Sequence, residues 1–430
     1  MLFLANVLEL NGGTTFLLRV AREYASRGQR IGVLVMFDIF DEKLKAQLSE
    51  CADLYRLGDY SSGAPAPLFG SQLATFMPLD FDPINELISR HGGHVHVMGV
   101  FGVLLLKRFV AAGVTLKSVS FGIYHQNEIM YRNVGAYFSK KAQALFAALP
   151  ASSMVFFNEL NKRSHAHFFD RDYSLSEILP IGVELPEWKG RSVGDADSLR
   201  IVSIGNLHPF KAYNAHIIRM LGRLRESRPG LIYEIYGSGT NELALKALAQ
   251  EHGVEHCVEF KGVIGYSDIP KVLAGSFAFV GSGTSIIESS ALGIPSIVGI
   301  ESIPEPMTYG FLSDVEGYSY NEMGSGQALV SIEEKLLSLT DPDTWTAVAN
   351  SCRVKAETFS IVHTVNGLER ISAESSTLSD FRSCGYSNCL AFLSFLVWGV
   401  KEKTGFSSAF SMRREQGSVS DSSSAPARKA

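Results

Sequence analysis

Short, almost unbroken apolar runs, most of them delivered into a glycine-bearing polar loop and followed by a helix-like stretch, recur along most of this chain, and that pattern leaves few folds open. Residues 2–8, 31–37, 53–57, 94–98, 119–124, 154–157 and 178–181 are such runs in the first half. Residues 199–204, 231–236, 258–261, 277–280 and 296–298 repeat the pattern in the second. Apolar positions at helical spacing fill 16–26, 214–226, 241–252, 267–274 and 285–292. Continuous β-branched strands separated by helices make parallel sheets covered on both faces. The polar stretch 185–197, with Pro, Gly and Asp, reads as a linker between two such sheets. The expected fold is therefore α/β with two Rossmann-like domains, at 1–185 and 186–373. Residues 374–416 are expected to form a segment crossing back to the first domain, and the Ser-rich 417–430 to be a disordered tail.

Composition narrows the function. A net charge of −5 argues against a nucleic-acid partner. The five cysteines (Cys51, Cys257, Cys352, Cys384, Cys389) form no metal-like spacing, which points to a reduced, cytoplasmic protein without structural zinc. Residues 1–8 are apolar without a basic flank or cleavage site and read as a first strand, not a signal peptide. No apolar run approaches the ~20 residues needed to span a bilayer. Residues 100–106 and 390–400 read as buried elements, and the second also fits a helix lying in a membrane interface.

A parallel sheet presents its ligand beyond the carboxyl ends of its strands, so the loops that follow the strands carry the argument. After the first run comes Asn11-Gly12-Gly13-Thr14-Thr15, where glycine amides and a helix start could meet a diphosphate, or could simply be a turn. It does not spell GxGxxG, which disfavours NAD. His125, after 119–124, fits either a sugar contact with a part in proton transfer or a structural histidine. His91, His94 and His96 lie on a turn and along one strand, not in a metal arrangement. Lys211, in Gly205-Asn206-Leu207-His208-Pro209-Phe210-Lys211, fits a pyrophosphate partner or a surface lysine. Gly237-Ser238-Gly239 is a sharp turn suited to close approach of a ligand. Gly281-Ser282-Gly283-Thr284-Ser285 opens a helix bearing Glu288, a carboxylate among apolar neighbours that could bind ribose or face solvent.

Taken in order, these motifs resemble the donor half of GT-B-fold glycosyltransferases of the family 4, group 1 type. The resemblance rests on Ile204-Gly205-Asn206-Leu207…Lys211, Tyr236-Gly237-Ser238-Gly239, Phe260-Lys261-Gly262-Val263, and Glu288…Ala291-Leu292-Gly293-Ile294-Pro295. Weaker likeness covers Gly12-Gly13, the His125 segment and Pro180-Ile181-Gly182-Val183-Glu184. It implies two Rossmann-like domains facing each other across a cleft, and transfer of a sugar from a UDP- or GDP-linked donor. The acceptor would be a saccharide, often lipid-linked, in bacterial surface polysaccharide assembly. It further implies retention of anomeric configuration, no cofactor and no metal. Lys211 would neutralise the leaving diphosphate, Glu288 would bind the ribose, and His125 would contact the transferred sugar. Gly12 and Gly13 would approach the donor phosphates, the amides of Ser285 and Ile286 would hold phosphate oxygens, Asn206, Gly237, Gly239 and Thr284 would line the donor site, and Val263 would offer backbone to the base.

The chain departs from the family pattern twice. Asn206 stands where the family has arginine, and Val280 where it has a first glutamate. Two alternatives follow: a nucleotide-sugar 2-epimerase of the same fold, and a non-catalytic partner subunit. Asp170-Arg171-Asp172 spells the metal motif of the other glycosyltransferase fold but reads as a solvated turn. A lipid-linked acceptor would bring the protein to the inner face of the cell membrane. Lys107, Arg108, Lys117, Arg132, Lys140 and Lys141 are candidates for the peripheral contact.

Overall fold

A computed structural model describes residues 1–9, 11–132, 135–187, 190, 192–406 and 408–414. The expected tail at 417–430 lies outside the described residues. The described chain divides into two compact units, Met1–Gly182 with Ile361–Gln416, and Val183–Ser360.

The described strands of the first unit form a seven-stranded sheet: β1 Leu2–Ala5, β2 Ile31–Val35, β3 Ala52–Arg56, β4 His94–Met98, β5 Ser118–Ile123, β6 Met154–Phe156 and β7 Glu177–Ile178. Its order is β3-β2-β1-β4-β5-β6-β7, with every pairing parallel. Successive side chains alternate between two cores, as a strand buried on both faces requires. Leu2 and Leu4 enter one apolar cluster, Phe3 and Ala5 the other. Helices α1 Gly12–Ser26 and α2 Glu42–Cys51 cover the second face, while α3 Phe81–Arg90, α4 Val100–Ala111 and α5 Tyr137–Ala148 cover the first. α6 Glu159–Phe169 lies between β6 and β7 in sequence.

The second unit holds β8 Arg200–Ile204, β9 Ile232–Tyr236, β10 Val258–Gly262, β11 Ala278–Gly281 and β12 Ser296–Val298 in the order β10-β9-β8-β11-β12, again all parallel. Its helices are α7 Tyr213–Ser227, α8 Glu242–Glu251, α9 Ile269–Leu273, α10 Thr284–Ala291, α11 Ile332–Ser338 and α12 Pro342–Glu357. One continuous apolar cluster runs through it. In both units the strand order reverses beside the first strand, between β1 and β4 and between β8 and β11. These are the positions at which doubly wound sheets open a crevice for ligands.

Two expectations need correction. The second unit ends at Ser360 rather than at 373, because α13 Ile361–Ala373 belongs to the first unit. Its residues Ile361, Val365, Leu368 and Ile371 complete the core beside α1, and Gly367 lies so close to Leu179 that a methyl group there would sit 2.2 Å from the leucine side chain. Lys107 and Arg108 do not form a surface patch. They are only 5% and 8% exposed on the otherwise apolar α4. Lys107 Nζ donates to the carbonyls of Phe381 and Arg382, both at 2.8 Å, in the short helix α14 Ser379–Ser383. Arg108 donates to Thr75 and Met77 carbonyls, both at 2.6 Å. Buried cations are held by carbonyl groups when no carboxylate is at hand. Helix α15 Asn388–Lys403 packs through Ala391 and Phe395 onto the first unit's core, which Phe410 beyond it also joins.

Candidate active site

At the carboxyl end of the second sheet, two turns interlock. The loop after β8 and the loop after β9 pack backbone on backbone: Leu207 N–H donates to Ser238 O (2.9 Å) and Asn241 N–H to Leu207 O (3.0 Å). Glycine is what permits this. A methyl group on Gly237, whose φ is +133°, would sit 2.0 Å from Gly205 O, and one on Gly239 would sit 2.2 Å from Leu207 O. Gly237 N–H in turn donates to Gly262 O at 2.8 Å, linking the β10 loop that carries the exposed Val263. Asn206 is exposed on the same rim. The half-buried Lys211 folds back over it, so that a methyl group on Gly205 would lie 3.0 Å from Nζ.

The neighbouring strand β11 delivers the second half of the site. Gly283, at φ +70°, turns the chain into α10, and no side chain caps that helix start. The first amides of α10, on Thr284, Ser285 and Ile286, have no acceptor within the helix and favour an anion. Ser285 Oγ donates to Ile204 O at 2.9 Å and so ties α10 to the end of β8. Glu288 lies one turn further on and is buried to 8% exposure. Lys211 and Glu288 therefore stand beyond the ends of adjacent strands, β8 and β11, on either side of the point where the strand order reverses. Val280 is wholly buried in the sheet.

The segment at 319–322 braces these loops from outside. Asn321 Oδ1 accepts from Gly283 N (3.0 Å), Asn321 O accepts from Glu301 N (2.7 Å), and Tyr320 O–H donates to Gly283 O (3.0 Å). Burial pushes the Tyr320 phenol well above its ordinary range, and the nearby carboxylates of Glu322, Glu301 and Glu288 push it further.

Sequence reasoning missed Glu301. It follows β12, and no motif marks it. The half-buried carboxylate is held above the usual carboxylate range by burial, opposed by the Lys211 ammonium and by Ser282 Oγ, 3.5 Å away. The turn that aims it is costly: Ser302 adopts φ +61°, rare for a non-glycine residue, and its N–H donates to Phe210 O at 2.6 Å. Lys211 and Glu301 are thus fixed by the same pair of loops.

His125, Gly12 and Gly13 belong to the first unit's strand ends. α1 starts at Gly12, earlier than its apolar periodicity suggests, because Asn11 caps it: Oδ1 accepts from Thr14 N at 3.0 Å. Gly12 has nothing within 4 Å of where a methyl group would be, which leaves the helix start open. His125 is half-buried in the loop after β5, its Nδ1 accepting from Asn127 N at 3.3 Å. In the same loop the buried Glu128 accepts from Val100 N at 3.2 Å and caps α4, a role the sequence did not suggest. Asp170-Arg171-Asp172 is a turn after α6 whose arginine donates to Ala147 O and Leu149 O. Among the described residues no cluster of three or more His, Cys, Asp or Glu is arranged to hold a metal.

Two doubly wound parallel units, one with a lysine, paired glycine turns and an acid-bearing helix at its switch point, have the architecture of the GT-B glycosyltransferases. Residues 186–305, within the second unit, match the family model of glycosyl transferases group 1. No curated protein matches the chain by sequence. Among solved structures, Anabaena HepE, in complex with UDP and glucose, is 12% identical with a TM-score of 0.54, over 86% of this chain and 98% of that one. A TarM variant from S. aureus, in complex with fondaparinux, alpha-GlcNAc-glycerol and UDP, is 11% identical with a TM-score of 0.60, over 86% and 99%. The lipopolysaccharide outer core galactosyltransferase WaaB, in its apo form, is 11% identical with a TM-score of 0.54, over 86% and 98%. The fold is shared along nearly the whole of each.

Proposed function

We propose that this protein is a retaining glycosyltransferase that moves a sugar from a nucleoside-diphosphate donor to a saccharide or lipid-linked acceptor in bacterial surface polysaccharide assembly. The observation that carries the reading is the switch point of the second unit. There Lys211 and Glu288 flank a helix start whose amides face the same rim as two obligate glycine turns. A diphosphate fits the amides of Thr284, Ser285 and Ile286, with Lys211 beside it and Glu288 accepting from ribose hydroxyls. HepE and TarM, which share the fold, were solved with UDP, and this favours a UDP-linked donor.

In the reaction, the acceptor hydroxyl oxygen bonds to the anomeric carbon as the anomeric C–O bond to the diphosphate breaks. The hydroxyl proton passes to a phosphate oxygen on the same face, and the nucleoside diphosphate leaves. Lys211 offsets the charge that grows on the leaving group. No metal is required in this scheme, because lysine and helix amides supply the positive potential.

The test is a thermal-shift screen against UDP, GDP, ADP and their sugars, followed by product identification with the donor that stabilises most. A true donor raises the melting temperature by mass action. If no nucleotide stabilises the protein, the donor site is wrong. A sugar nucleotide altered only at C2 would identify the epimerase instead. Binding without turnover on any tested saccharide or lipid-linked acceptor would identify the non-catalytic subunit.

A further inference from the structure

Helix α15 is apolar on both sides, and only one side is covered. Its inner face is firmly seated. Phe395 lies with its ring centroid 5.3 Å from those of both Phe76 and Phe138, and Phe138 N–H donates to Ser394 Oγ at 3.0 Å. Trp398 Nε1 donates to Ser408 Oγ at 3.0 Å. The outer face is a stripe of Leu390, Leu393, Leu396, Val397 and Val400, between 40% and 63% exposed, at spacings that repeat on one side of a helix. Phe406, just past the helix end, is 73% exposed. Between Asn388 and Val400 the helix has no charged residue at all.

The charges gather at the end of the stripe. Lys401 and Lys403 are exposed, while the intervening Glu402 is turned inward and accepts from Ser408 N at 3.1 Å. Arg382, just before the helix, is also exposed. An apolar ridge finished by outward lysines, with its one acid withdrawn, matches an anionic lipid surface: side chains enter the acyl boundary and ammonium groups meet head-group phosphates. Sixteen residues are too few to span a bilayer, which takes ~20. Six part-buried side chains fall short of the ~800 Å² per partner of a stable protein interface. Residues 417–430 are Ser-rich and contain a single valine as their largest aliphatic side chain, so this segment offers nothing to cover a leucine stripe.

We propose that the outer face of α15, with Lys401, Lys403 and Phe406, is a docking surface for an anionic membrane. It deepens the reading of the protein as a transferase acting on a lipid-linked acceptor, and it moves the membrane contact away from Lys107 and Arg108, which are structural.

The experiment is flotation of the full-length protein with phosphatidylcholine vesicles and with vesicles containing a substantial fraction of phosphatidylglycerol. The wild type is expected to float with the anionic vesicles only, and to be released by high salt. L393S/V397S and K401E/K403E are each expected to weaken binding tenfold or more, with melting temperature and donor-nucleotide shift unchanged. Wild-type protein that ignores anionic vesicles, or variants that bind as well as wild type, would overturn the proposal. So would light scattering that shows a dimer broken by L393S/V397S, since the stripe would then be covered by a second copy. The donor-nucleotide shift, read on the same samples, reports separately on the transferase reading.

Discussion

Tyr124 donates its phenolic proton to His96 Nε2 across 2.6 Å, and that bond is the last in a buried series whose direction is fixed throughout. Ser118 Oγ donates to the carbonyl of Ser372 (3.1 Å), so it must accept from His94 Nδ1 (2.7 Å). The neutral His94 then accepts at Nε2 from Ser120 (2.8 Å), and Ser120 accepts from His96 Nδ1 (2.7 Å). The series runs the length of the β4–β5 pair in the first unit and ends under Gly122, where a methyl group would sit 2.2 Å from the Tyr124 ring. It works only with both imidazoles neutral.

Acid should therefore loosen this unit. Burial lowers the pKa of His94 and of His96 to about 3, and that of His165 to about 4. Between these values and the unfolded value of about 6.5, the unfolded chain binds more protons than the folded one, so stability rises with pH and is lost on acidification. Each histidine contributes a slope of up to about 1.4 kcal/mol per pH unit. Protection of the β4 and β5 amides against hydrogen exchange, corrected for the intrinsic rate at each pH, should fall progressively from pH 6.5 to 4.5. A double variant His96→Leu with Tyr124→Phe should flatten that dependence. Equal protection across the range in the wild type would contradict the assignment.

The two interlocked turns predict a steep local cost. Gly237→Ala places a methyl group 2.0 Å from Gly205 O, a severe clash, at a backbone angle that alanine avoids, so the two loops must separate. A loss of several kcal/mol is expected, of the order known for strained or overpacked positions. Because Lys211 rides on the displaced loop, nucleotide binding should fall with stability. Gly12→Ala, which meets nothing within 4 Å, is the control and should leave the melting temperature nearly unchanged. Similar melting points for the two variants would refute the packing argument.

Lys211 and Glu288 should fail in different ways. On the proposed reading, Lys211→Ala removes charge compensation that grows as the diphosphate leaves, so kcat should fall by about 10²–10³ with a smaller effect on nucleotide affinity. On the same reading, Glu288→Gln removes a charged acceptor for ribose hydroxyls and should weaken UDP binding by about tenfold, or ~1.4 kcal/mol. Calorimetry with UDP and steady-state transfer kinetics separate the two. Transfer that survives both substitutions unchanged would remove the site from the second unit's switch point.

The fold was legible because its strands are continuous apolar runs: the runs read at 94–98 and 296–298 coincide with β4 and β12. The turns of the candidate site were legible where glycine marks them, since Gly237 and Gly239 are forced by backbone contact that no other residue tolerates. What escaped was set by long-range packing. Helix α13 has helical periodicity that fits either unit, and only its docking beside α1 assigns it to the first. Lys107 and Arg108 looked like surface charge because nothing local announces the carbonyls, over thirty and over 270 residues away, that bury them. Glu301 has no motif around it. Its position depends on Phe210, Ser282 and Asn321, none of which is near it in sequence.

Glu301 also yields a test in which stability and function move in opposite directions. Its carboxyl pKa is raised in the fold. The folded state thus holds this proton to higher pH than the unfolded state, so the contribution is favourable below the unfolded pKa and is lost as pH rises through the folded one. At neutral pH the free protein carries the burial cost of a charge. Glu301→Gln removes that charge while keeping the shape, so it should raise the melting temperature of the ligand-free protein at pH 7 and change it little near pH 4. The same carboxylate lies on the rim beside Lys211, where the sugar of a bound donor would present its hydroxyls. The variant should therefore bind a nucleoside diphosphate about as well as wild type, and the corresponding nucleotide sugar several-fold more weakly. Paired titrations of nucleotide and nucleotide sugar decide it. A variant that loses both ligands equally, or that is destabilised at pH 7, would show that Glu301 is part of the scaffold and not a reader of the donor's sugar.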